Sequence, residues 1–283
     1  MSIQKTIKLN SGYYIPVIGL GTWLLSTRDV PKVIHKALDV GYRHIDTAIY
    51  YENEREIGEA ISNWLKEDPI NRKREDVFYT SKLWTFDTYE RAQLEIENAF
   101  SQVKDTLGYI DLLLLHSPMG GPQARLGAWK ALQEAVDSGI VKSIGISSWG
   151  QRHIEQLYNW EGLRIEPAVN QFEVHPWCMR EKLSQFCQAK GIHVEAYSPL
   201  AHGERLRDAT ICKLAQSYHV TPAQVLLRWN LQRGNIILPK TSNVDRLSSN
   251  LELFNFELTE GDVKAIDHPE VHEPTDWECT NMP

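Results

Sequence analysis

The choice between two α/β architectures rests on residues 19–24, which read Gly-Leu-Gly-Thr-Trp-Leu after the first short apolar run. An open sheet that binds a dinucleotide needs a third glycine in this turn, in the pattern G-x-G-x-x-G, and then a helix. Here the sixth position is Leu24, and residues 25–27 do not favour a helix. The sequence also lacks the phosphate-loop pattern G-x-x-x-x-G-K-[ST], so it favours a closed barrel over an open, doubly wound sheet.

Repeated β/α units extend on both sides of this turn, from about residue 18 to about residue 250. A hairpin is predicted ahead of them, over 6–9 and 14–17 around Ser11-Gly12, where it would cover one end of the barrel. The eight predicted strands are 18–20, 43–46, 77–81, 110–116, 143–147, 168–171, 193–197 and 236–239. We therefore predict an α/β fold, a (β/α)8 TIM barrel with an N-terminal β-hairpin, in a single domain over residues 1–283.

The segments between the strands carry helix start and stop signals. Asn53 and Asp87 each stand three residues before a glutamate, which is the pattern of a capped helix start. Four glycines precede strands at positions where a helix needs a left-handed last residue: Gly41, Gly108, Gly139 and Gly191.

Composition and charge exclude several classes of protein. The 283 residues are 42% hydrophobic and 24% charged, which provides a core and argues against disorder. A net charge of −7 without a dense basic run argues against nucleic acid or a membrane as the main partner. No apolar run approaches a membrane span, residues 1–6 do not suggest a secretory signal, and the four cysteines are scattered. We expect a cytoplasmic protein with reduced thiols and no bound metal.

Four ionisable residues lie at or just after the ends of predicted strands: Asp46, Tyr51, Lys82 and His116. A barrel brings such strand ends to one rim, where active sites lie. Each residue alone has a structural explanation, such as a turn cap, a solvated charge or a core histidine. Together they can move a proton to a carbonyl oxygen, because an ammonium beside a phenol lowers its pKa from about 10. The aspartate would neutralise the lysine, and the histidine would orient the oxygen.

The motifs around these residues closely resemble the aldo-keto reductase superfamily. Residues 41–54 read Gly-Tyr-Arg-His-Ile-Asp-Thr-Ala-Ile-Tyr-Tyr-Glu-Asn-Glu, 80–84 read Thr-Ser-Lys-Leu-Trp, and 112–116 read Leu-Leu-Leu-Leu-His. Further similarity lies in 19–23, 167–171, 196–200 and 238–241, so the resemblance covers nearly the whole chain. It implies a (β/α)8 barrel that binds a nicotinamide cofactor without a dinucleotide fold.

The resemblance makes Tyr51 the general acid, Lys82 and Asp46 its tuning pair, and His116 the orienting donor. Lys240 and Arg246, near the predicted start of the last barrel helix, would pair with a 2′-phosphate and favour NADPH (NADP+) over NADH. The residues expected to bind the cofactor are Gly21, Thr22, Trp23, Asp46, Ser147, Ser148, Gln171, Tyr197, Ser198, Leu200, Lys240, Thr241, Ser242, Asn243, Arg246 and Asn250. Among these, Tyr197 would stack on the nicotinamide, while Ser147 and Gln171 would hold its carboxamide.

The substrate pocket is expected to be apolar and aromatic, which suits uncharged carbonyl compounds. Its predicted residues are Trp23, Tyr50, Trp84, His116 and Met119, with Trp149 as a further candidate, whereas Trp160 and Trp229 are predicted to be structural. Three departures from the usual family pattern are Ser117, Ser148 and Ser249. Short segments after the fourth strand and after Pro269 predict an open, tolerant site.

The implied function is NADPH-dependent reduction of aldehydes and ketones by a monomer whose partner is a small carbonyl substrate. One alternative is a nicotinamide-binding regulatory subunit with little turnover. Another is NADP-dependent oxidation of an alcohol or sugar as the physiological direction. The intact set of four proton-handling residues favours the reductase. The natural substrate stays open, because apolar contacts discriminate by only about 1–3 kcal/mol per methylene.

Overall fold

The computed structural model describes residues 5–84 and 88–283, and it confirms a parallel barrel preceded by a hairpin. In the hairpin, β1 (Thr6–Lys8) pairs antiparallel with β2 (Tyr14–Pro16). The barrel strands are β3 (Leu20–Gly21), β4 (His44–Asp46), β5 (Phe78–Leu83), β6 (Ile110–Leu115), β7 (Val141–Ser147), β8 (Val169–Glu173), β9 (His193–Tyr197) and β10 (Ile236–Ile237). Each strand pairs in parallel with the next one along the chain, so the strand order follows the sequence order.

The sheet closes between its first and last strands. The Gly19 amide donates to the Ile237 carbonyl at 2.8 Å, and the Gly21 amide donates to the Pro239 carbonyl at 3.1 Å. Parallel bridges between Ile18 and Ile237 and between Gly21 and Lys240 continue this pairing. The closed barrel brings the C-terminal ends of β3 to β10 together at one rim.

The helices surround the barrel and bury one face each. They are α1 (Val30–Val40), α2 (Glu54–Glu67), α3 (Tyr89–Val103), α4 (Gly121–Asp137), α5 (Gln151–Tyr158), α6 (Glu181–Ala189), α7 (Ala209–Tyr218), α8 (Pro222–Gln232), α9 (Asp245–Leu251) and α10 (Glu260–Ile266). In α1, for example, the buried residues Val30, Val33, Ile34, Ala37 and Leu38 follow the helical period. Within the described ranges, no helix is both long and apolar enough to cross a membrane.

The glycines predicted to end helices have the expected backbone conformation, whereas the predicted cap Asn53 has another role. All four predicted cap glycines have positive φ, and Gly41, at 117°, ends α1. Asn53 precedes α2 as expected, but its side chain makes no capping bond. It accepts instead from Thr47 Oγ1 at 2.6 Å and donates to the carbonyls of Thr22 and Leu25, so it connects the loop after β4 to the loop after β3. The predicted cap Asp87 lies outside the described residues, and α3 is capped by Thr88.

The hairpin packs against the N-terminal end of the barrel. Leu9 and Ile15 are buried in one apolar cluster with residues of the barrel, namely Phe78, Leu112, Leu114, Ala168, Val169 and Ile236. The Ser11 and Ser143 hydroxyls are 2.7 Å apart, and this contact links the turn of the hairpin to β7. The hairpin therefore fills the end of the barrel opposite the rim.

Candidate active site

Lys82 forms the centre of a buried polar cluster at the rim. Its side chain is fully buried, and Nζ donates to Asp46 Oδ1 at 2.6 Å and to the Thr47 carbonyl at 2.8 Å. Nζ also lies 3.5 Å from the hydroxyl oxygen of Tyr51. The register explains this meeting, because Asp46 is opposite Thr80 in the β4–β5 pair and Lys82 is the next residue of β5 on the same face.

Opposing effects set the protonation of this cluster. Burial alone would lower the pKa of Lys82, but the negative charge of Asp46 and its hydrogen bond oppose burial, so the pKa of Lys82 is raised and the lysine stays an ammonium. Burial raises the pKa of Tyr51, and the opposing effect of Lys82 does not cancel that rise. The expectation that the lysine brings the phenol below its ordinary pKa is therefore wrong, and Tyr51 is a protonated phenol at neutral pH.

His116 follows β6 and faces Tyr51. The two rings are 5.7 Å apart at 72°, and the His116 amide donates to the Leu83 carbonyl at 3.1 Å, which fixes the backbone at this point. Burial and the nearby Lys82 hold the pKa of His116 well below its ordinary value, so the imidazole is neutral. Nδ1 is buried without a hydrogen-bond partner among the described residues, which leaves Nε2 as the nitrogen that can donate into the cavity.

A second set of hydrogen bonds holds Asp46. The Thr22 hydroxyl donates to the Asp46 backbone carbonyl at 2.8 Å, and the Gln171 amide nitrogen donates to Asp46 Oδ2 at 2.9 Å. Both Thr22 and Gln171 are buried. The carboxylate is therefore fixed on one oxygen by Lys82 and on the other by Gln171.

A cavity of about 440 Å³ opens above this cluster, and aromatic rings form one wall. Tyr50 stacks on Trp84 at 4.6 Å and on Trp23 at 5.6 Å, while Trp84 meets His116 edge-on at 5.1 Å. Trp277 extends the wall at 5.5 Å from Trp84. The expected aromatic pocket is thus present at the rim.

Most residues predicted to contact a cofactor share this cavity. Those that line it are Gly21, Thr22, Trp23, Asp46, Ser147, Ser148, Gln171, Tyr197, Ser198, Leu200, Lys240 and Arg246. Four predicted residues are absent from its lining: Thr241, Ser242, Asn243 and Asn250. Of these, Thr241 and Asn243 bond to each other across a turn, and Asn250 is buried within α9.

The two cations at one end of the cavity, Lys240 and Arg246, do not both lie at the start of a helix as expected. The last barrel helix, α9, begins only at Asp245, so Lys240 lies in the preceding loop while Arg246 is in the first turn. Both side chains are exposed, and neither forms an ion pair with a carboxylate in the described part of the chain. Two cations without an acidic partner at one end of a groove suit a phosphate.

Two predicted substrate residues lie elsewhere. Met119 does not line the cavity, because its backbone turns towards α4 and its amide donates to Ser117 Oγ at 3.3 Å. Trp149 is fully buried in the core. The structural roles predicted for Trp160 and Trp229 are confirmed, since Trp160 packs against the core and the buried Trp229 indole donates to Asp267 at 2.8 Å.

The C-terminal segment supplies residues that sequence reasoning missed. Asp276 and Trp277 line the cavity, although the segment was expected to leave the site open. Buried groups anchor it, because Glu173 Oε1 accepts from the Thr275 amide at 2.8 Å and Arg180 donates to Glu278 at 2.7 Å. The loop after β9 contributes further residues that were not predicted, namely Pro199, His202, Gly203 and Leu206.

Comparison with known proteins identifies the family of the chain. The model of the Aldo/keto reductase family matches residues 17–270. A protein described as an uncharacterized oxidoreductase from Saccharomyces cerevisiae is 47% identical over 282 residues, which is 99% of this chain and 100% of the relative. Human aldo-keto reductase family 1 member C3 is 37% identical over 301 residues, covering 94% of this chain and 91% of the relative.

Solved structures give the same result. An aldo-keto reductase enzyme from a deep-sea metagenome library of the Medee basin superposes with a TM-score of 0.88 at 33% identity, covering 99% of this chain and 100% of that chain. The aldose reductase of Schistosoma japonicum has a TM-score of 0.83 at 37% identity over 93% of this chain and 91% of that one. The chain belongs to the aldo/keto reductase family. Within that family it is an oxidoreductase.

Proposed function

We propose that this chain reduces aldehydes and ketones to alcohols with NADPH, and that Tyr51 provides the proton. The observation that carries the proposal is the meeting of two neutral proton donors, Tyr51 and His116, at 5.7 Å between ring centres in one cavity. A carbonyl oxygen accepts two hydrogen bonds and gains negative charge as it is reduced, so it suits such a pair.

Each side chain then has a defined task. Tyr51 passes its hydroxyl proton to the substrate oxygen, and the Lys82 ammonium at 3.5 Å stabilises the phenolate that remains. Asp46 keeps Lys82 charged in its buried position. His116 donates from Nε2 and does not compete for the proton, because its pKa is too low for it to carry a second one.

The chemistry of the lining fits a nicotinamide dinucleotide. Gln171, Ser147 and Ser148 offer amide and hydroxyl groups for a carboxamide, and Tyr197 offers a ring for stacking. When bound, the reduced cofactor supplies the hydride that no amino-acid side chain provides. Lys240 and Arg246 support NADPH over NADH, because a 2′-phosphate gives these two cations an anionic partner.

The wall of the cavity supports an uncharged carbonyl substrate. Trp23, Tyr50 and Trp84 offer apolar contact, and Asp276 adds a negative charge to the lining of the cavity. An anionic substrate would meet repulsion there. We further propose that residues 1–283 act as one barrel domain and that the protein works as a cytoplasmic monomer.

The initial rate of loss of reduced-nicotinamide absorbance tests the proposal. It is measured with NADPH and with NADH over aldehydes, ketones and dicarbonyls. We expect turnover that prefers NADPH. Tight NADPH binding without turnover of any carbonyl would instead support the alternative of a regulatory subunit.

A further inference from the structure

Glu195 lies in β9 with its side chain inside the barrel, and its exposed fraction is 0%. The Gln171 amide nitrogen donates to Glu195 Oε2 at 2.7 Å and to Asp46 Oδ2 at 2.9 Å. One amide therefore connects Glu195 to the carboxylate that pairs with Lys82. The mechanism above makes no use of Glu195, yet three hydrogen bonds connect this residue to Lys82 through Gln171 and Asp46.

The neighbouring imidazole of His44 indicates whether the carboxyl group of Glu195 is protonated or ionised. His44 Nδ1 lies 3.4 Å from the Pro16 carbonyl oxygen, so Nδ1 carries the ring proton and donates it there. His44 Nε2 then acts as an acceptor, with the Thr80 hydroxyl at 3.0 Å and Glu195 Oε1 at 3.6 Å. At 3.6 Å the two atoms are not hydrogen-bonded, and Glu195 Oε1 has no hydrogen-bond partner among the described residues. A carboxylate oxygen at this position would repel the imidazole lone pair, whereas a neutral carboxylic acid would not.

The charges around Glu195 in the barrel also favour its protonated, neutral form. The titratable and charged groups that face Glu195 are His44, Asp46 and Lys82. Burial lowers the pKa of His44 to about 3, so His44 is neutral, and Lys82 is already paired with Asp46. An ionised Glu195 would add a second buried anion with no cation of its own. Burial, followed by the charge of Asp46, raises the pKa of Glu195 to about 8.

We propose that Glu195, as a neutral carboxylic acid, is a positioning residue that fixes the side chain of Gln171. Two carboxyl groups accept hydrogen bonds from the side-chain amide nitrogen of Gln171. The side-chain carbonyl oxygen of Gln171 is then left for the cavity that this residue lines. Through Gln171, Glu195 keeps Asp46 in place beside Lys82. The inference rests on the proposed function, because the free carbonyl matters for a nicotinamide carboxamide.

Two substitutions separate this role from simple packing. Glu195→Gln keeps an acceptor for Gln171 and presents an N–H to His44, so it mimics the neutral acid and cannot ionise. Glu195→Leu fills a similar volume and removes the acceptor. Two quantities are measured from pH 6 to pH 9: the Kd of NADPH, from quenching of intrinsic tryptophan fluorescence, and kcat/KM for one aldehyde.

We expect the wild-type protein to lose NADPH affinity and kcat/KM as the pH rises past about 8, because an ionised Glu195 repels the Asp46 carboxylate that shares the Gln171 amide nitrogen and so disturbs the position of Gln171. Glu195→Gln should lack this alkaline change and bind NADPH within about threefold of wild type at pH 6.5, since the hydrogen bond to Gln171 remains. Glu195→Leu should bind about tenfold more weakly throughout the range, because Gln171 loses one of its two acceptors.

The inference is wrong if Glu195→Gln keeps the alkaline change of the wild type, or if Glu195→Leu binds NADPH as the wild type does. Thermal melting by circular dichroism shows whether Glu195→Leu is folded, and if it is not, the pH profile of Glu195→Gln decides alone. A wild-type protein that turns over no carbonyl would overturn the proposed function. The fluorescence titration would then still test Glu195.

Discussion

The phenol oxygen of Tyr51 lies 3.5 Å from the ammonium nitrogen of Lys82, yet burial outweighs this contact and the phenol keeps its proton. A contact with a cation is usually taken to favour a phenolate. Here Lys82 limits the rise in the pKa of Tyr51 and does not reverse it. The resting pair is therefore a phenol beside an ammonium, which is the form that can give a proton to an oxygen.

Tyr51→Phe removes that proton and leaves the ring. We expect kcat to fall by about 10²- to 10⁴-fold, the usual contribution of a positioned acid. Because the ring contacts with Trp23 and His116 persist, the Kd of NADPH should change by less than about threefold. Initial rates and fluorescence titration measure the two effects. Tyr50→Phe is the matched control, and equal rates in both variants would exclude Tyr51 as the proton donor.

Lys82→Met tests the ion pair through stability. The substitution leaves Asp46 buried without its cation, which costs about 3–5 kcal/mol in the free energy of unfolding. The double variant Lys82→Met/Asp46→Leu removes both charges and should be more stable than the single variant. Urea denaturation followed by circular dichroism gives both values. A double variant that is less stable than the single one would show that the charges are not coupled in this way.

Arg246→Ala tests the cationic end of the cavity. We expect the Kd of NADPH to rise by about 10- to 100-fold, because charge-assisted hydrogen bonds contribute about 1.5–3 kcal/mol, while the Kd of NADH stays nearly unchanged. Fluorescence titration with each cofactor provides the comparison. Lys142→Ala removes a cation beside the hairpin and serves as the control. An equal loss of affinity for both cofactors would contradict a contact with the 2′-phosphate.

Glu54 predicts a pH dependence of stability. It is buried at the start of α2, where burial raises its pKa to about 7, and its carboxyl group bonds to the Ser81 hydroxyl. Its unfolded pKa is about 4.3, so its stabilising contribution is complete below that value and disappears as the pH rises through about 7. The free energy of unfolding of the wild type relative to Glu54→Gln should therefore fall between pH 5 and pH 8.

Urea denaturation at four pH values within that range measures this difference. Glu59→Gln is the control, since Glu59 lies on the exposed side of the same helix. A wild type and a Glu54→Gln variant whose stabilities stay parallel across the range would contradict the raised pKa of Glu54.

Asp276→Asn tests the charge at the mouth of the cavity. Asp276 lies 3.6 Å from His202, and its charge acts on Tyr51, so an anionic substrate would be repelled near the reacting atoms. The variant should raise kcat/KM for 4-carboxybenzaldehyde relative to benzaldehyde by about three- to tenfold, which corresponds to about 1 kcal/mol of repulsion. Glu270→Gln removes a charge from the same segment outside the cavity, and an identical gain there would attribute the effect to net charge alone.

The four proton-handling residues were predictable because parallel strands end at the same rim. Asp46, Lys82 and His116 each stand at a strand end, and the register of β4, β5 and β6 places them together. Asp276 and Trp277 carry no such signal. Their position depends on hydrogen bonds that Glu173 accepts from, and Arg180 donates to, residues about a hundred positions later in the chain, and no local pattern encodes contacts of that range.

Glu195 and Met119 illustrate two further limits. A glutamate within an apolar strand gives no sign of the partners that neutralise it, since these come from strands elsewhere in the barrel. Met119 stands close to His116 in the sequence, but the chain turns into α4 at Gly121, and Met119 does not line the cavity. Proximity in sequence predicts proximity in space only as long as the strand continues.

The hairpin closes the end of the barrel that lies opposite the rim. Within the described chain, Leu9 and Ile15 fill the end opposite the rim, so apolar side chains separate Lys82 from the solvent below it. Under the proposed function, the proton that Tyr51 gives away in each turnover must be replaced from water on the side of Trp23 and Trp277. The alcohol product leaves through the same opening of the cavity. Reprotonation of Tyr51 and release of the product therefore use the same opening of the cavity. Slower exchange of water at this opening would delay both steps.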